Sequence, residues 1–391
     1  MSVSLRDRIK SRAYALGFNL VGIAPAQPSP HAAEFTAWLE AGYAGTMAYM
    51  AREPERRQDP RNVLNGARSV VSVGLSYYTL RLPDDILNDP SRGIISNYAW
   101  GADYHDLMLP RLKALAAFIQ AEAGGAVATR AYVDTGPLLE RDVAVQAGLG
   151  FTGKNTCLIH PRLGSYLFLG EVLADAEIEP DPLPSSSVGC GRCTRCLVAC
   201  PTEAFVSPYV LDSRRCISYL TIELRGPIPR ELRPLMRNRI FGCDICQEVC
   251  PWNLRFARPT REPLFRPLDL NRAAPPLLDL IGLDEAGFRA RFGGTPVMRA
   301  KRRGLLRNVA VALGNWGAPQ AIPALIQALH DPEPLIRGHA AWALGQMGDR
   351  RAKAALVTAL KVETDKTVIA ELREALNSQG DYGDRITNGV A

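Results

Sequence analysis

The chain has 391 residues, of which 47% are hydrophobic and 22% charged, and its formal net charge is +6. This length predicts two or three packed domains and excludes a small disulfide-stapled scaffold. No run of residues approaches the roughly 20 apolar positions of a membrane-spanning helix, which excludes a helical membrane protein.

The first 180 residues alternate between helical and strand-like patterns, as is typical of an α/β or α+β domain. The N-terminus predicts an amphipathic helix rather than a signal peptide, so we expect a cytoplasmic protein. The order of the strands does not follow from these patterns. We expect strands at 20–25, 70–77 and 166–173, and a helix around Leu112, Leu115 and Ile119.

A stretch rich in Pro and Ser at 179–189 predicts a linker, and a dense group of cysteines follows it. Seven of the nine cysteines form two runs between positions 190 and 250, and within each run the gaps are two or three residues. Such close spacing, with no export signal expected, favours metal binding over disulfides.

The first cysteine motif matches the bacterial ferredoxin spacing, in which three cysteines bind one [4Fe–4S] cluster and the fourth binds another. It reads Cys190-x-x-Cys193-x-x-Cys196-x-x-x-Cys200-Pro201. Structural zinc is the alternative, because zinc knuckles also use C-x-x-C. Zinc does not explain the run of three closely spaced cysteines or the Cys-Pro that ends both motifs.

The second motif, Cys243-x-x-Cys246-x-x-x-Cys250-Pro251, lacks its first cysteine. We place Cys216 there, because it lies between the two motifs, and we interpret Cys157 as a buried apolar thiol. The reciprocal ferredoxin pattern then assigns Cys190, Cys193, Cys196 and Cys250 to one cluster, and Cys200, Cys216, Cys243 and Cys246 to the other.

From about residue 300 the sequence is rich in Ala and Leu and repeats itself with a shift of 31 residues. Under this shift Ala310 and Leu313 fall on Ala341 and Leu344. A helix–turn–helix unit of this period is typical of HEAT repeats, and so few units are expected to pack on the rest of the chain.

Basic residues cluster twice, which favours a polyanionic partner, although a solvated face is the simpler interpretation. The clusters are Arg225, Arg230, Arg233, Arg237 and Arg239, and then Arg299, Lys301, Arg302, Arg303 and Arg307.

A glycine-rich run at 148–153 satisfies G-x-G-x-x-G, but it follows a helical pattern and precedes a strand, the reverse of a dinucleotide site. A phosphate loop is excluded because Asn155 has no hydroxyl to bind magnesium. We expect a loop whose backbone approaches a ligand closely.

Taken together, these motifs resemble the epoxyqueuosine reductases, a family of cobalamin-dependent iron–sulfur enzymes of tRNA modification. The resemblance covers nearly all of the chain and rests on 132–159, 189–205, 211–223, 241–253 and the HEAT-like tail. It implies an α+β multidomain protein. Its expected parts are an α/β cobalamin-binding catalytic domain at 1–180, a ferredoxin-like domain with two [4Fe–4S] clusters at 181–260, a connecting segment at 261–298, C-terminal α-helical HEAT-like repeats at 299–380 and a tail at 381–391.

The resemblance also implies the reaction, the last step of queuosine biosynthesis. Epoxyqueuosine at the wobble position of a tRNA anticodon is reduced and loses water, with cobalamin reduced through the two clusters by an unidentified electron donor. Asp134 is the implied proton donor, and a turn aspartate is its simpler interpretation. We expect a monomer.

The resemblance implies cobalamin contacts at Arg57, Asn97, Asp134, Asn155, Ser165, Tyr219, Cys243 and Asp244. It implies no protein imidazole on cobalt, and we interpret His105 as a helix-start residue after the cap at Asp103. The candidates for phosphate contacts are Arg214, Arg215, Lys301, Arg302 and Arg303.

Two other functions remain open at this point. One is a cobalamin and iron–sulfur reductase of a small molecule, similar to a dehalogenase. The other is an electron carrier without a catalytic site, which would leave the 180 N-terminal residues without a role.

Overall fold

The computed structural model describes residues 3–183 and 188–387. It contains ten strands: β1 Leu20–Pro25, β2 Ser69–Ser76, β3 Ile94–Ile95, β4 Thr129–Tyr132, β5 Phe151–Thr152, β6 Leu158–Ile159, β7 Leu167–Ala174, β8 Phe205–Ser207, β9 Val210–Leu211 and β10 Arg239–Phe241 within those ranges.

The α-helices in the same ranges are α1 Leu5–Ala15, α2 Ala32–Glu40, α3 Pro54–Gln58, α4 Asp84–Leu87, α5 Tyr104–Glu122, α6 Glu140–Gln146, α7 Arg195–Ala199, α8 Ile217–Ile222, α9 Ile245–Glu248, α10 Pro251–Phe256, α11 Leu270–Ala273, α12 Leu278–Ile281, α13 Glu285–Phe292, α14 Lys301–Trp316, α15 Ile322–Ala328, α16 Pro334–Gly345, α17 Arg350–Val362 and α18 Lys366–Thr387.

The chain forms two compact units, and each is discontinuous in sequence. The first consists of Met1–Leu80, Ala102–Arg214 and Asp244–Arg266, and the second of Arg81–Gly101, Arg215–Cys243 and Pro267–Ala391. The five sequence domains set out above remain a prediction.

A four-stranded antiparallel sheet in the order β1-β2-β7-β4 organises the first unit. Strand β2 is buried along its whole length, because the sheet is covered on both faces. Helix α5 covers the face to which Phe168 points, where Tyr104 stacks on that ring. Helix α6 covers the opposite face, and Gly22 is required there because a Cβ would lie 1.9 Å from the Ala147 carbonyl oxygen.

The second unit joins a short parallel pair, β3 with β10, to an array of helices. Helices α14, α16 and α18 pack in series, with α15 and α17 beside them, as HEAT repeats do. The fully buried Arg307 of α14 donates to the carbonyl oxygens of Leu220, Leu224 and Gly226. These bonds attach the repeats to the segment that carries α8 and β10.

The strand predictions are confirmed to within one residue by β1, β2 and β7, and the predicted helix is α5. The mixed α and β fold with helical repeats at the C-terminal end is also confirmed. Of the predicted linker, 179–183 and 188–189 have no helix or strand, and 184–187 lie outside the described residues. Across the described ranges, each helix is too short or too polar to cross a membrane.

Candidate functional site: a thiol-lined cavity and an exposed aspartate

Four cysteines of the first unit surround one cavity of about 290 Å³. They are the four assigned to one cluster from the sequence: Cys190, Cys193, Cys196 and Cys250. Cys190 and Cys193 lie on the loop that leads into α7, Cys196 lies in the first turn of that helix, and Cys250 directly precedes α10. No three His, Cys, Asp or Glu side chains of the described ranges converge as the ligands of a single metal ion would. Thiols spread around a cavity suit a cubane, in which each thiolate binds its own iron.

The thiols of this cavity are close enough to influence one another. Burial, and then the neighbouring Cys190 and Cys250, raise the pKa of the Cys196 thiol to about 11. Thiolates that repel one another are stabilised by the positive charge of iron, so the donor set fits a [4Fe–4S] cluster.

The glycine-rich loop lies against the first cysteine motif. The main-chain N–H of Lys154 donates to Cys190 Sγ at 3.4 Å, and Lys154 Nζ donates to the carbonyl oxygens of Gly191 and Cys193. Its glycines approach the chain itself: a Cβ on Gly150 would lie 2.4 Å from the Ile159 carbonyl oxygen. The loop therefore supports the cysteine motif, and its predicted close approach to a ligand stays a prediction.

Cys157 is not the buried apolar thiol predicted from the sequence. It is half-buried, and a hydrogen bond to the Cys246 sulfur, the largest influence, lowers its pKa. The prediction failed because the β5–β6 hairpin, not visible in the sequence, brings this thiol beside α9.

The second predicted ligand set remains a prediction. Cys200 and Cys246 belong to the first unit, whereas Cys216 and Cys243 belong to the second. Around Cys200, the Ala204 N–H donates to its sulfur at 3.3 Å and the Thr202 hydroxyl lies 3.5 Å away. Such N–H···S contacts are typical of cluster ligands.

Asp134 follows edge strand β4, and its side chain is 56% exposed. The Tyr104 hydroxyl donates to Asp134 Oδ2 at 2.7 Å, and His105 Nε2 lies 4.0 Å from the same oxygen. The backbone of Asp134 has φ = +57°, which is uncommon for a residue with a side chain. An exposed carboxyl held in a strained conformation is typical of a functional position.

Two further carboxyl groups lie behind Asp134, and the sequence did not indicate either. Glu140 Oε1 accepts a 2.6 Å hydrogen bond from the Asp134 main-chain N–H. Glu140 is also hydrogen-bonded to Glu171, which is fully buried on β7. Burial, and then the Asp134 charge, raise the pKa of Glu140 to about 8, while burial raises the pKa of Glu171 well above its ordinary value.

The other predicted cofactor contacts of the first unit occupy two places. Arg57 lies beside the Asp134 loop and donates to the carbonyl oxygens of Gly136 and Tyr49. Asn155 lines the thiol cavity, and its amide donates to the Cys246 carbonyl oxygen. Ser165 and Asp244 are both buried and both hydrogen-bonded to Gln247.

The remaining predicted contacts belong to the second unit. Asn97 and Tyr219 are buried there, and Cys243 ends one of its segments. His105 is the helix-start residue that the sequence predicted: Asp103 caps α5 and accepts from the His105 main-chain N–H.

The predicted phosphate contacts differ in how freely they can reach a ligand. Arg302 is held by Asp331 and by the Leu283 carbonyl oxygen, and it is only 15% exposed. Arg214 is more exposed but pairs with Asp212, and Arg215 is half-buried. Lys301 and Arg303 are exposed in the first turn of α14, where Arg303 donates to the Arg225 carbonyl oxygen and lies 3.7 Å from the Glu333 carboxylate.

Sequence reasoning missed Tyr104, Glu140 and Glu171 because each is brought to Asp134 by tertiary contacts. Glu171 comes from β7, which pairs with β4 through Tyr132. The one available signal was the charged residue inside the otherwise apolar strand pattern at 167–174, because a buried strand seldom carries a carboxylate without a partner.

Three family models match the chain. They are described as a 4Fe-4S double cluster binding domain at 189–253, "Epoxyqueuosine reductase QueG, DUF1730" at 57–135, and HEAT repeats at 297–377. The first and third coincide with the cysteine motifs and with the helical array.

Curated relatives and solved structures agree with these matches. The chain is 47% identical to the epoxyqueuosine reductase of Pseudomonas aeruginosa over 355 residues, covering 88% of this chain and 95% of that one. It is 42% identical to the Escherichia coli enzyme, covering 89% and 90%. A crystal structure of epoxyqueuosine reductase with an epoxyqueuosine-modified tRNA-Tyr stem loop superposes with a TM-score of 0.89 at 33% identity, covering 96% and 99%.

Proposed function

The chain belongs to the epoxyqueuosine reductase family, and we propose that it reduces epoxyqueuosine to queuosine at the wobble position of tRNA anticodons. The observation that carries this proposal is the combination found in the first unit. That unit holds a cavity lined by four cluster-type thiols, and it also holds an exposed aspartate fixed by Tyr104 and Glu140.

The cofactors are two [4Fe–4S] clusters and cobalamin. Cys190, Cys193, Cys196 and Cys250 hold one cluster, and we assign Cys200, Cys216, Cys243 and Cys246 to the other. Cobalamin, when bound, supplies a cobalt centre that receives electrons from the clusters and passes them to the substrate. The reduction takes two electrons and two protons, and the oxygen of the epoxide leaves as water.

One observation beside Asp134 supports the binding of a large polar cofactor there. Arg57 Nε is buried without a hydrogen-bond partner among the residues described here. Because an unpartnered buried donor is costly, such an atom is typical of a side chain that a ligand completes. We keep Arg57, Asn97, Asp134, Asn155, Ser165, Tyr219, Cys243 and Asp244 as the proposed cobalamin contacts.

Asp134 is the proposed proton donor to the departing oxygen. Its carboxyl is exposed to an incoming ligand, while its main chain is fixed from behind by Glu140. The Tyr104 hydroxyl donates to Oδ2 and not to Oδ1, and this hydrogen bond fixes the orientation of the carboxyl. A positioned acid of this kind typically contributes about 10²- to 10⁴-fold to a rate.

The concentration of positive charge at the start of α14 supports the proposed tRNA contacts there. Lys301, Arg302 and Arg303 crowd the first turn, which has neither an acidic residue nor a side-chain cap. Positive charge at this end opposes the helix dipole, and the ion pairs of Arg302 with Asp331 and of Arg303 with Glu333 offset part of that cost. A phosphate near Lys301 and Arg303 would offset this concentration of positive charge. Arg214 and Arg215 are proposed as additional contacts.

We further propose that the enzyme acts as a monomer in the cytoplasm, where its tRNA substrate is found. A separate protein must deliver low-potential electrons to the clusters.

The test is an anaerobic assay with reconstituted clusters, cobalamin, a chemical reductant and an anticodon stem loop that carries epoxyqueuosine. Mass spectrometry of the digested nucleosides would show loss of one oxygen from the modified nucleoside only when cobalamin is present. An unchanged epoxide at full iron and corrinoid loading would contradict the proposal and favour a small halogenated or epoxide substrate. Conversion without cobalamin would contradict the assigned cofactor.

A further inference from the structure

We propose that Glu140 and Glu171 share one proton at neutral pH and that this pair re-protonates Asp134, so that it holds the second proton of each reaction. The inference rests on the proposed function, in which two protons are consumed and Asp134 carries only one. The first part of the proposal, the shared proton, concerns the folded protein and can be tested without substrate.

The environment of Glu171 requires a proton. The side chain is fully buried on the sheet face that α6 covers, and Glu171 Oε1 accepts one long hydrogen bond, from the Ser72 hydroxyl at 3.4 Å. Glu171 Oε2 is buried and meets no N–H or O–H donor among the described residues. A buried carboxylate with one long hydrogen bond is costly, whereas a carboxylic acid there can donate.

Glu140 is the acceptor for that proton. Its carboxyl is hydrogen-bonded to Glu171, and two carboxyl groups can form such a bond only if one of them is protonated. Glu140 also accepts from the Asp134 N–H, which is the behaviour of an ionised carboxylate. The pair therefore holds one proton between two groups and titrates as a unit.

The charged groups around the pair favour one proton rather than none or two. Asp134 lies on the loop after β4, and its negative charge, present once it has given up its proton, favours protonation of the pair. Arg141 on α6 and Arg57 on α3 lie near Glu140 and favour its ionised form. Ser72 on β2 stabilises the Glu171 charge only weakly.

The pair is coupled to Asp134 in charge and in geometry. When Asp134 gives its proton to the departing oxygen, a new negative charge appears beside Glu140, which raises the affinity of the whole group for protons. Transfer of the shared proton to Asp134 restores the acid but leaves two ionised carboxyl groups in a buried place, so the step is uphill until the pair is protonated again. The pair then regains one proton from water before the next turnover. No other reactant is required.

The first experiment needs no substrate. Infrared difference spectra of the folded protein, with glutamate labelled by ¹³C, should show the C=O stretch of a protonated glutamic acid at neutral pH. The band should disappear in Glu171→Gln and persist in Glu177→Gln, a matched control whose side chain is 77% exposed and pairs with Arg68. A wild-type spectrum without the band would overturn the proposal.

The second experiment separates proton storage from positioning. Glu140→Gln keeps an oxygen that accepts from the Asp134 N–H but cannot share a proton, whereas Glu140→Ala loses both functions. We expect Glu140→Gln and Glu171→Gln to lower kcat at neutral pH on the order of tenfold, with cluster content and KM retained. We also expect the kcat of wild type to fall at alkaline pH as the pair ionises, and this fall should be absent in both variants.

A protonated pair whose glutamine variants retain the wild-type pH profile would overturn the proposal, because the pair would then only position Asp134. Absence of any turnover by the wild-type enzyme would contradict the proposed function instead. The infrared result distinguishes the two failures, since it depends on the folded protein alone.

Discussion

The main-chain N–H of Asp134 donates a 2.6 Å hydrogen bond to the carboxyl of Glu140, the first residue of α6. This bond fixes the proposed acid in a left-handed backbone conformation, whose cost is about 1 to 3 kcal/mol for a residue with a side chain. Glu140 and Tyr104 hold the two ends of the same residue, one at its main chain and one at its carboxyl. The geometry of the acid is therefore set by groups outside its own loop.

Tyr104→Phe removes the hydroxyl that binds Asp134 and keeps the ring that stacks on Phe168. A hydrogen bond to a charged group is worth about 1.5 to 3 kcal/mol, so we expect kcat to fall roughly 10- to 100-fold with little change in KM. Steady-state conversion of the stem loop measures this. Tyr14→Phe, at a position 52% exposed on α1, is the control. An unchanged kcat in Tyr104→Phe would show that the hydroxyl does not orient the acid.

The buried carboxyl pair predicts how stability depends on pH. Burial raises the pKa of both groups, that of Glu140 to about 8, so the folded state binds more protons than the unfolded state above pH 4.5. The stability that protonation provides is complete below the unfolded pKa and is lost as pH rises through the folded pKa, at up to about 1.4 kcal/mol per pH unit for each proton.

Urea unfolding of wild type and Glu171→Gln between about pH 6 and about pH 9 tests this sign. We expect the free energy of unfolding of wild type to fall relative to that of the variant as pH rises. A constant difference across this range would contradict the elevated pKa of the pair.

Cys250 and Cys157 provide a matched comparison of thiols in the first unit. Cys250 lines the cavity with Cys190, Cys193 and Cys196, whereas Cys157 is hydrogen-bonded to Cys246 but has no assigned place as a ligand. Cys250→Ser should therefore reduce the bound iron by about half, and Cys157→Ser should retain it. Iron analysis and electron paramagnetic resonance after anaerobic reconstitution measure the outcome. Loss of a cluster in Cys157→Ser would require a different ligand assignment.

Lys301 and Arg303 at the start of α14 predict a salt-dependent contact with tRNA. Replacing either by Ala should weaken stem-loop binding at low salt and reduce the slope of log K against log salt by about one. Arg351→Ala is the control, because Arg351 is exposed in the first turn of α17 and pairs with Asp349. Arg302→Ala should instead destabilise the repeats, since it leaves the buried Asp331 without its partner. Equal salt slopes in all of these variants would remove this helix end from the proposed interface.

The local elements could be predicted from the sequence because each carries its own signal. The apolar run at 20–25 is a strand with those bounds, and Asp103 caps α5 as the pattern predicted. The cavity thiols were also predictable, since the ferredoxin spacing keeps Cys190, Cys193 and Cys196 within one short segment of chain. Cys250 followed from the reciprocal pattern of the second motif.

The support of Asp134 could not be predicted, because it depends on the pairing of strands that are distant in sequence. The register of β4 against β7 places Tyr132 opposite Glu171, and the packing of α6 on that face brings Glu140 to the same point. The contacts that the glycine-rich loop makes within the chain could not be predicted for the same reason. Its glycines accommodate Ile159 on the other strand of a hairpin, and its Lys154 supports the cysteine motif.

The most direct measurement is a single-turnover assay of the reconstituted enzyme on an epoxyqueuosine stem loop, comparing wild type, Asp134→Asn and the exposed control Asp85→Asn. We predict conversion to queuosine by wild type and the control, and a rate at least about 10²-fold lower in Asp134→Asn with clusters and cobalamin still bound. Wild-type conversion by Asp134→Asn would contradict the assigned acid, and failure of the fully loaded wild type to convert the epoxide would contradict the function itself.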